Sequence, residues 1–149
     1  MPSTQTLYEH DFYEWTQRTA EQLEAGRFEE VDLEHVVEEI RDMGKSERRQ
    51  LENRLTVLIA HILKWDSQPE RRGNSWVATI RTQRIRLNRL LRENPSLKPH
   101  LDEELPEVFE LAALLAVKQT GLPRSDFPAN CPYTVDQLLS EFPEEQKID

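Results

Sequence analysis

The sequence predicts an all-α fold: one domain, a multi-helix bundle of about five or six helices, with a proline-rich C-terminal segment. Three observations predict it. Apolar residues recur at three- and four-residue spacings through most of the 149 residues. Glycine occurs only at 26, 44, 73 and 121, each time where a helical pattern pauses. No stretch shows the two-residue alternation of a half-buried strand.

The first predicted helix runs from about Asp11 to Ala25. Asp11 can cap it, Glu14 stands at the capping-box position, and Gly26 ends it. Tyr8, Phe12, Trp15, Thr19 and Leu23 make its stripe. The second runs from the N-cap Asp32 to Met43 before Gly44, with Leu33, Val36, Val37, Ile40 and Met43 as its apolar face. The third runs from near Ser46 to about Asp66. Its stripe of Leu51, Leu55, Leu58, Ile62 and Trp65 has the spacing a buried helix face requires.

Ser75 caps a fourth predicted helix reaching Glu93, with Trp76, Val77, Ile80, Leu87, Leu90 and Leu91 on its face. Asn94-Pro95-Ser96 breaks the chain, because the residue before proline disfavours helix. A short turn is expected at Leu97–Glu104. A last long helix then starts near Pro106, a favoured first-turn position, and ends at Gly121. Phe127 and Tyr133 anchor the proline-rich segment, and Thr134 caps a final short helix, Val135–Glu141. Short connections predict antiparallel hairpins between helices two and three and between three and four.

Composition narrows the setting. One cysteine, Cys131, forbids an internal disulfide and fits a reducing compartment. Met1–His10 lacks the basic-then-apolar pattern of a signal peptide. The most apolar stretch, Leu55–Leu63, falls short of the roughly 20 residues a bilayer demands. The expectation is a cytoplasmic protein with no membrane contact. The net charge of −9 is uneven: residues 1–44 carry −9, residues 45–92 carry +8 and residues 93–149 carry −8. An acidic whole disfavours nucleic acid at long range, and complementary flanks can fold over the basic centre.

Certain motifs look like a known family. Asp32-Leu33-Glu34, Glu38-Glu39-Ile40, Gly44-Lys45-Ser46-Glu47-Arg48-Arg49 and Leu63-Lys64-Trp65 carry part of the likeness. Gln68-Pro69, Ser75-Trp76, Pro95-Ser96-Leu97 and Cys131-Pro132-Tyr133 carry the rest. Over about residues 8–141 the chain resembles the bacterial family catalogued as domain of unknown function 29. The resemblance implies an α-helical intracellular protein. It implies no activity, cofactor or catalytic residue.

The residues themselves raise two candidates. Arg84 falls between Ile80 and Leu87 on an apolar stripe, Arg54 between Leu51 and Leu58, and His61 at that stripe's edge. Glu39 borders the face of the second helix, with Asp66 as another available carboxylate. Buried charge needs a partner, so Glu39, Arg54, His61 and Arg84 are expected to form a polar cluster. Such a cluster would be either a register-fixing network or a site for a small anion or an enzymatic substrate. The second candidate is a basic surface of Arg71, Arg72, Arg81, Arg86, Arg89 and Arg92, able to track a phosphate backbone.

No metal or cofactor is expected. His35 with Glu38 or Glu39 has ligand spacing, but the pair does not recur on other helices as a di-metal bundle requires. Cys131 has no placed base, and no serine-nucleophile or phosphate-cradling glycine motif occurs. The function expected is a non-enzymatic helical module that pairs with a protein partner or with itself. Nucleic-acid binding and an unrecognised enzyme site are the alternatives.

Overall fold

The computed structural model describes residues 3–140. Among them are six α-helices, four single 3-10 turns and no strand. The helices are α1 (Thr4–His10), α2 (Phe12–Glu24), α3 (Leu33–Ser67), α4 (Asn74–Glu93), α5 (Lys98–Thr120) and α6 (Val135–Leu139). The chain divides into two compact units, Met1–Glu47 and Arg48–Asp149. No helix among the described residues is long and apolar enough to cross a membrane.

Several predicted breaks are absent. The expected second and third helices are one, α3, and the hairpin between them does not exist. Gly44 weakens a helix without removing a backbone donor. No proline or turn dipeptide follows it, so the ladder continues through Lys45-Ser46-Glu47. A Cβ added at Gly44 meets nothing within 4 Å. Gly44→Ala is therefore expected to stabilise the chain by about 0.5–1 kcal/mol, read as a raised urea midpoint with an unchanged slope. The short turn and long helix expected around Pro106 are likewise one helix, α5, with Pro106 inside it. The helix-forming residues on both sides carry it across the missing N–H. The fourth helix starts at Asn74, with Gly73 rather than Ser75 in the cap position. Thr4–His10, unassigned from sequence, forms α1, which Ser3 caps through its hydroxyl.

Other ends match expectation. Asp11 caps α2 by accepting from the Glu14 N–H. Gly121 closes α5 in the left-handed region at φ 75°, where an L side chain would be strained. Thr134 and Gln137 form a capping box on α6. That helix ends at Leu139, with Ser140 extended, short of the expected Glu141, which itself lies outside the described residues.

The C-terminal unit holds the core. Leu51, Leu55, Leu58, Ile59 and Leu63 of α3 are buried with Ile80 and Leu87 of α4 and Leu101, Phe109, Ala112 and Ala116 of α5. The proline-rich segment packs on this core. Phe127 is buried, and Tyr133 donates to Asp66 Oδ2 at 2.7 Å. Arg124 grips Glu110 with two nitrogens and also donates to the carbonyls of Phe127 and Pro128.

The N-terminal unit is built differently. Here α1 and α2 pack together, and their buried residues include Leu7, Trp15, Thr19 and Gln22. The expected stripe of α2 is only half buried, since Phe12 and Leu23 are exposed. The larger departure is on α3. Its predicted apolar face is open: Leu33 is 66% exposed, Val37 39%, Ile40 61% and Met43 66%.

Candidate functional site

The N-terminal unit contains a polar and aromatic clasp. Asp32, buried just ahead of α3, accepts from its own helix at the His35 N–H (3.5 Å) and from the His35 ring at 2.6 Å. It also accepts from Trp15 Nε1 at 3.3 Å. The Tyr8 ring stacks on His35 with centroids 3.8 Å apart, and its edge meets Trp15 at 5.0 Å. The Tyr8 hydroxyl donates to Glu39. This bond, with burial and nearby carboxylates, pushes the Tyr8 phenol up to about 12.

The Asp32 hydrogen bond is the main cause of a raised His35 pKa, against an opposing desolvation effect. A raised histidine value means that the fold favours the protonated ring. That contribution is complete below about 6.5 and fades as pH rises through the raised value. The i, i+3 spacing of Asp32 and His35 was the available sequence signal for this clasp. Its meaning depended on α1, which no sequence pattern announced.

On the opposite side of the same turns of α3, the surface changes character. At about 100° per residue, Leu33, Val37, Ile40 and Gly44 fall within an arc of about 60°, with Met43 about 60° beyond it. Leu33, Val37 and Arg41 help to line an open groove along this face. Apolar side chains scattered singly are ordinary on a surface; here three exposed ones, Leu33, Val37 and Ile40, share one arc of one helix.

Glu39, Arg54, His61 and Arg84 have separate partners. Glu39 holds Tyr8 in the N-terminal unit. In the C-terminal unit, Arg54 reaches Gln83 at 3.5 Å. His61 donates from Nδ1 to the Val57 carbonyl at 2.9 Å, and burial lowers its pKa. Arg84, 4% exposed, donates from Nε to the Leu138 carbonyl at 2.9 Å. One turn later, Asn88 donates to the Leu139 carbonyl at 3.2 Å. Arg84 and Asn88 of α4 thus satisfy the last carbonyls of α6, which a helix end leaves without intrahelical donors.

The basic surface is mostly open. Arg71, Arg81, Arg86, Arg89 and Arg92 are exposed. Arg72 folds over the Trp65 ring, 4.9 Å from its centroid, and donates to the Trp65 carbonyl. Arg89 pairs with Glu93 at 3.1 Å. Gln50, Arg54, Arg86, Arg89, Leu90 and Glu93 line a groove of about 210 Å³.

Two further groups escaped the sequence reading. Lys64 is buried, which lowers its pKa; it donates to Gln119 at 2.8 Å and lies over the Trp76 ring. Glu52 of α3 and Glu104 of α5 lie together beside Arg48, which itself pairs with Glu104. A protonated Glu52 can donate to Glu104; this, with burial and the Glu104 charge, pushes Glu52 up to about 7, while Glu104 is held low. A raised carboxyl value favours the protonated fold, so this contribution falls as pH climbs from about 4.5 to about 7. Glu52→Gln keeps a donor at this position. Its urea midpoint is expected to exceed that of the wild type at pH 8 by more than at pH 5.

Among the described residues no group of three or more His, Cys, Asp or Glu side chains is placed to hold a metal ion. The model of the family described as "Domain of unknown function DUF29" matches residues 7–142 of the 149, and the chain belongs to that family. No curated protein and no solved structure is significantly similar to the chain.

Proposed function

We propose that this DUF29 member is a non-enzymatic helical protein-interaction module whose contact surface is the apolar face of α3 between Leu33 and Gly44. One observation carries the reading: a helical stripe patterned for burial is left open along one side of α3, with Leu33 66% and Ile40 61% exposed. Burying such side chains is worth about 1.5–3 kcal/mol each, enough for a few of them to drive association. The clasp of Tyr8, Trp15, Asp32 and His35 supports the same reading, because it holds the first turns of α3 rigid and so lowers the entropy lost on docking.

The test is binding by the immobilised full chain, compared with Ile40→Glu. Ile40→Glu places a charge in the middle of the exposed face and disturbs no core contact, so helicity is expected to be unchanged. The wild type is expected to retain a partner, itself or another protein, that Ile40→Glu loses. Identical retention by both chains would refute the reading.

The arginine groove favours a second reading, nucleic-acid binding through α4. Three guanidinium groups, Arg54, Arg86 and Arg89, line one depression with a single carboxylate, Glu93. Binding of this kind weakens steeply with salt. Duplex or single-stranded nucleic acid retained near physiological salt, and released from Arg86→Glu, would put this reading first.

A further inference from the structure

We propose that the occupant of the open α3 face is a second copy of the same chain, the two α3 segments lying antiparallel about a two-fold axis between Glu38 and Glu39. The proposal rests on the reading of this face as an interaction surface and adds the partner and the register.

The face is self-complementary in shape. In an antiparallel pair, residues whose numbers share a constant sum stand opposite one another. A sum of 77 sets Val37 against the partner's Ile40, and Leu33 against the partner's Gly44. The two middle residues make an apolar centre. At each end a large side chain meets a residue without one, which lets the helices approach closely. Gly44 has no other structural role among the described residues: it caps nothing, its φ is not in the left-handed region, and no neighbour crowds it. Retaining it in mid-helix is unfavourable relative to alanine, and opposition to the partner's Leu33 explains it.

Charge agrees with shape. Glu34 and Arg41 flank the stripe on the same side, seven residues apart, about 20° from one another around the helix. Among the described residues neither has an ion-pair partner. In the antiparallel register each Glu34 comes beside the partner's Arg41, so two equivalent ion pairs form, as an isologous two-fold contact requires. A parallel pair sets this flank against Val36 and Met43 instead, leaves the charges unmatched and places glycine opposite glycine. Two such faces span only about 17 Å of helix. That is less than a standard interface, so association is expected in the micromolar range.

Sedimentation equilibrium at low ionic strength, up to about millimolar chain, tests the pairing. The wild type is expected to form dimers. Arg41→Glu makes both ion pairs repulsive and is expected to raise Kd about tenfold. Adding Glu34→Arg restores opposite charges across the axis and should return Kd to within about threefold of the wild type. Gly44→Leu, which meets open space within the monomer, is expected to raise Kd at least tenfold while circular dichroism stays unchanged. A wild type that remains monomeric overturns the proposal. So does a dimer indifferent to Gly44→Leu, or one that the double reversal fails to restore. If the wild type is monomeric yet Ile40→Glu still loses a captured partner, self-pairing falls and the interaction face stands.

Discussion

Phe109→Ala is expected to lower unfolding stability by about 3–5 kcal/mol. Phe109 is 2% exposed, lies among the buried side chains of the C-terminal unit, and has the Arg124 guanidinium 5.8 Å above its ring. Truncation loses the transfer of the ring from water and leaves a cavity that α3 and α5, both long helices, cannot collapse to fill. It also removes the surface on which Arg124 rests while gripping Glu110 and the Phe127 and Pro128 carbonyls. The loss is a large share of the roughly 5–15 kcal/mol typical of a domain. Urea unfolding followed by tryptophan fluorescence measures it. A change below 1 kcal/mol would mean that the core is not packed as described.

Arg84→Ala is expected to cost about 3 kcal/mol, close behind. The guanidinium is buried, and its Nε satisfies the Leu138 carbonyl at the end of α6. Removing it leaves a buried acceptor without its donor and deletes the alkyl stem that fills the stripe between Ile80 and Leu87. Arg84→Met restores the stem alone and should recover about half of the loss. Because α6 is only five residues long and buries only Val135 and Leu138 in the core, this bond and the neighbouring one from Asn88 add substantially to its docking. Limited proteolysis of Arg84→Ala is therefore expected to cut between α5 and α6 well before the rest of the unit unfolds. Equal resistance in wild type and variant would contradict the role given to Arg84.

These two residues show how far the sequence could be read. Phe109 was legible as core because its helix repeats apolar residues at the α-helical period. Arg84 was legible as a polar residue on an apolar stripe in need of a partner. The partner itself was not, since carboxylates are visible in a sequence and unsatisfied backbone carbonyls are not. Gly44 misled because glycine suits a helix end, yet it also survives inside a helix when nothing downstream stops the ladder. Pro106 misled in the same manner. The face from Leu33 to Met43 was recognised as apolar. Periodicity records which side chains avoid water, without saying whether their cover comes from the same chain. The arginines of α4 were placed on an open surface by their number and spacing, whereas Arg72 turned to the Trp65 ring.

The proposed pairing of two copies through α3 between Leu33 and Gly44 would shield that segment's backbone from solvent. Amide hydrogen exchange of residues 33–45, followed at a few micromolar and at several hundred micromolar chain, reads this out. Association protects a helix in proportion to its occupancy. The expected result is exchange that slows about tenfold or more in this segment at the higher concentration, with α4 and α5 unchanged, and no slowing in Ile40→Glu. Exchange of residues 33–45 that is the same at both concentrations would contradict the claim.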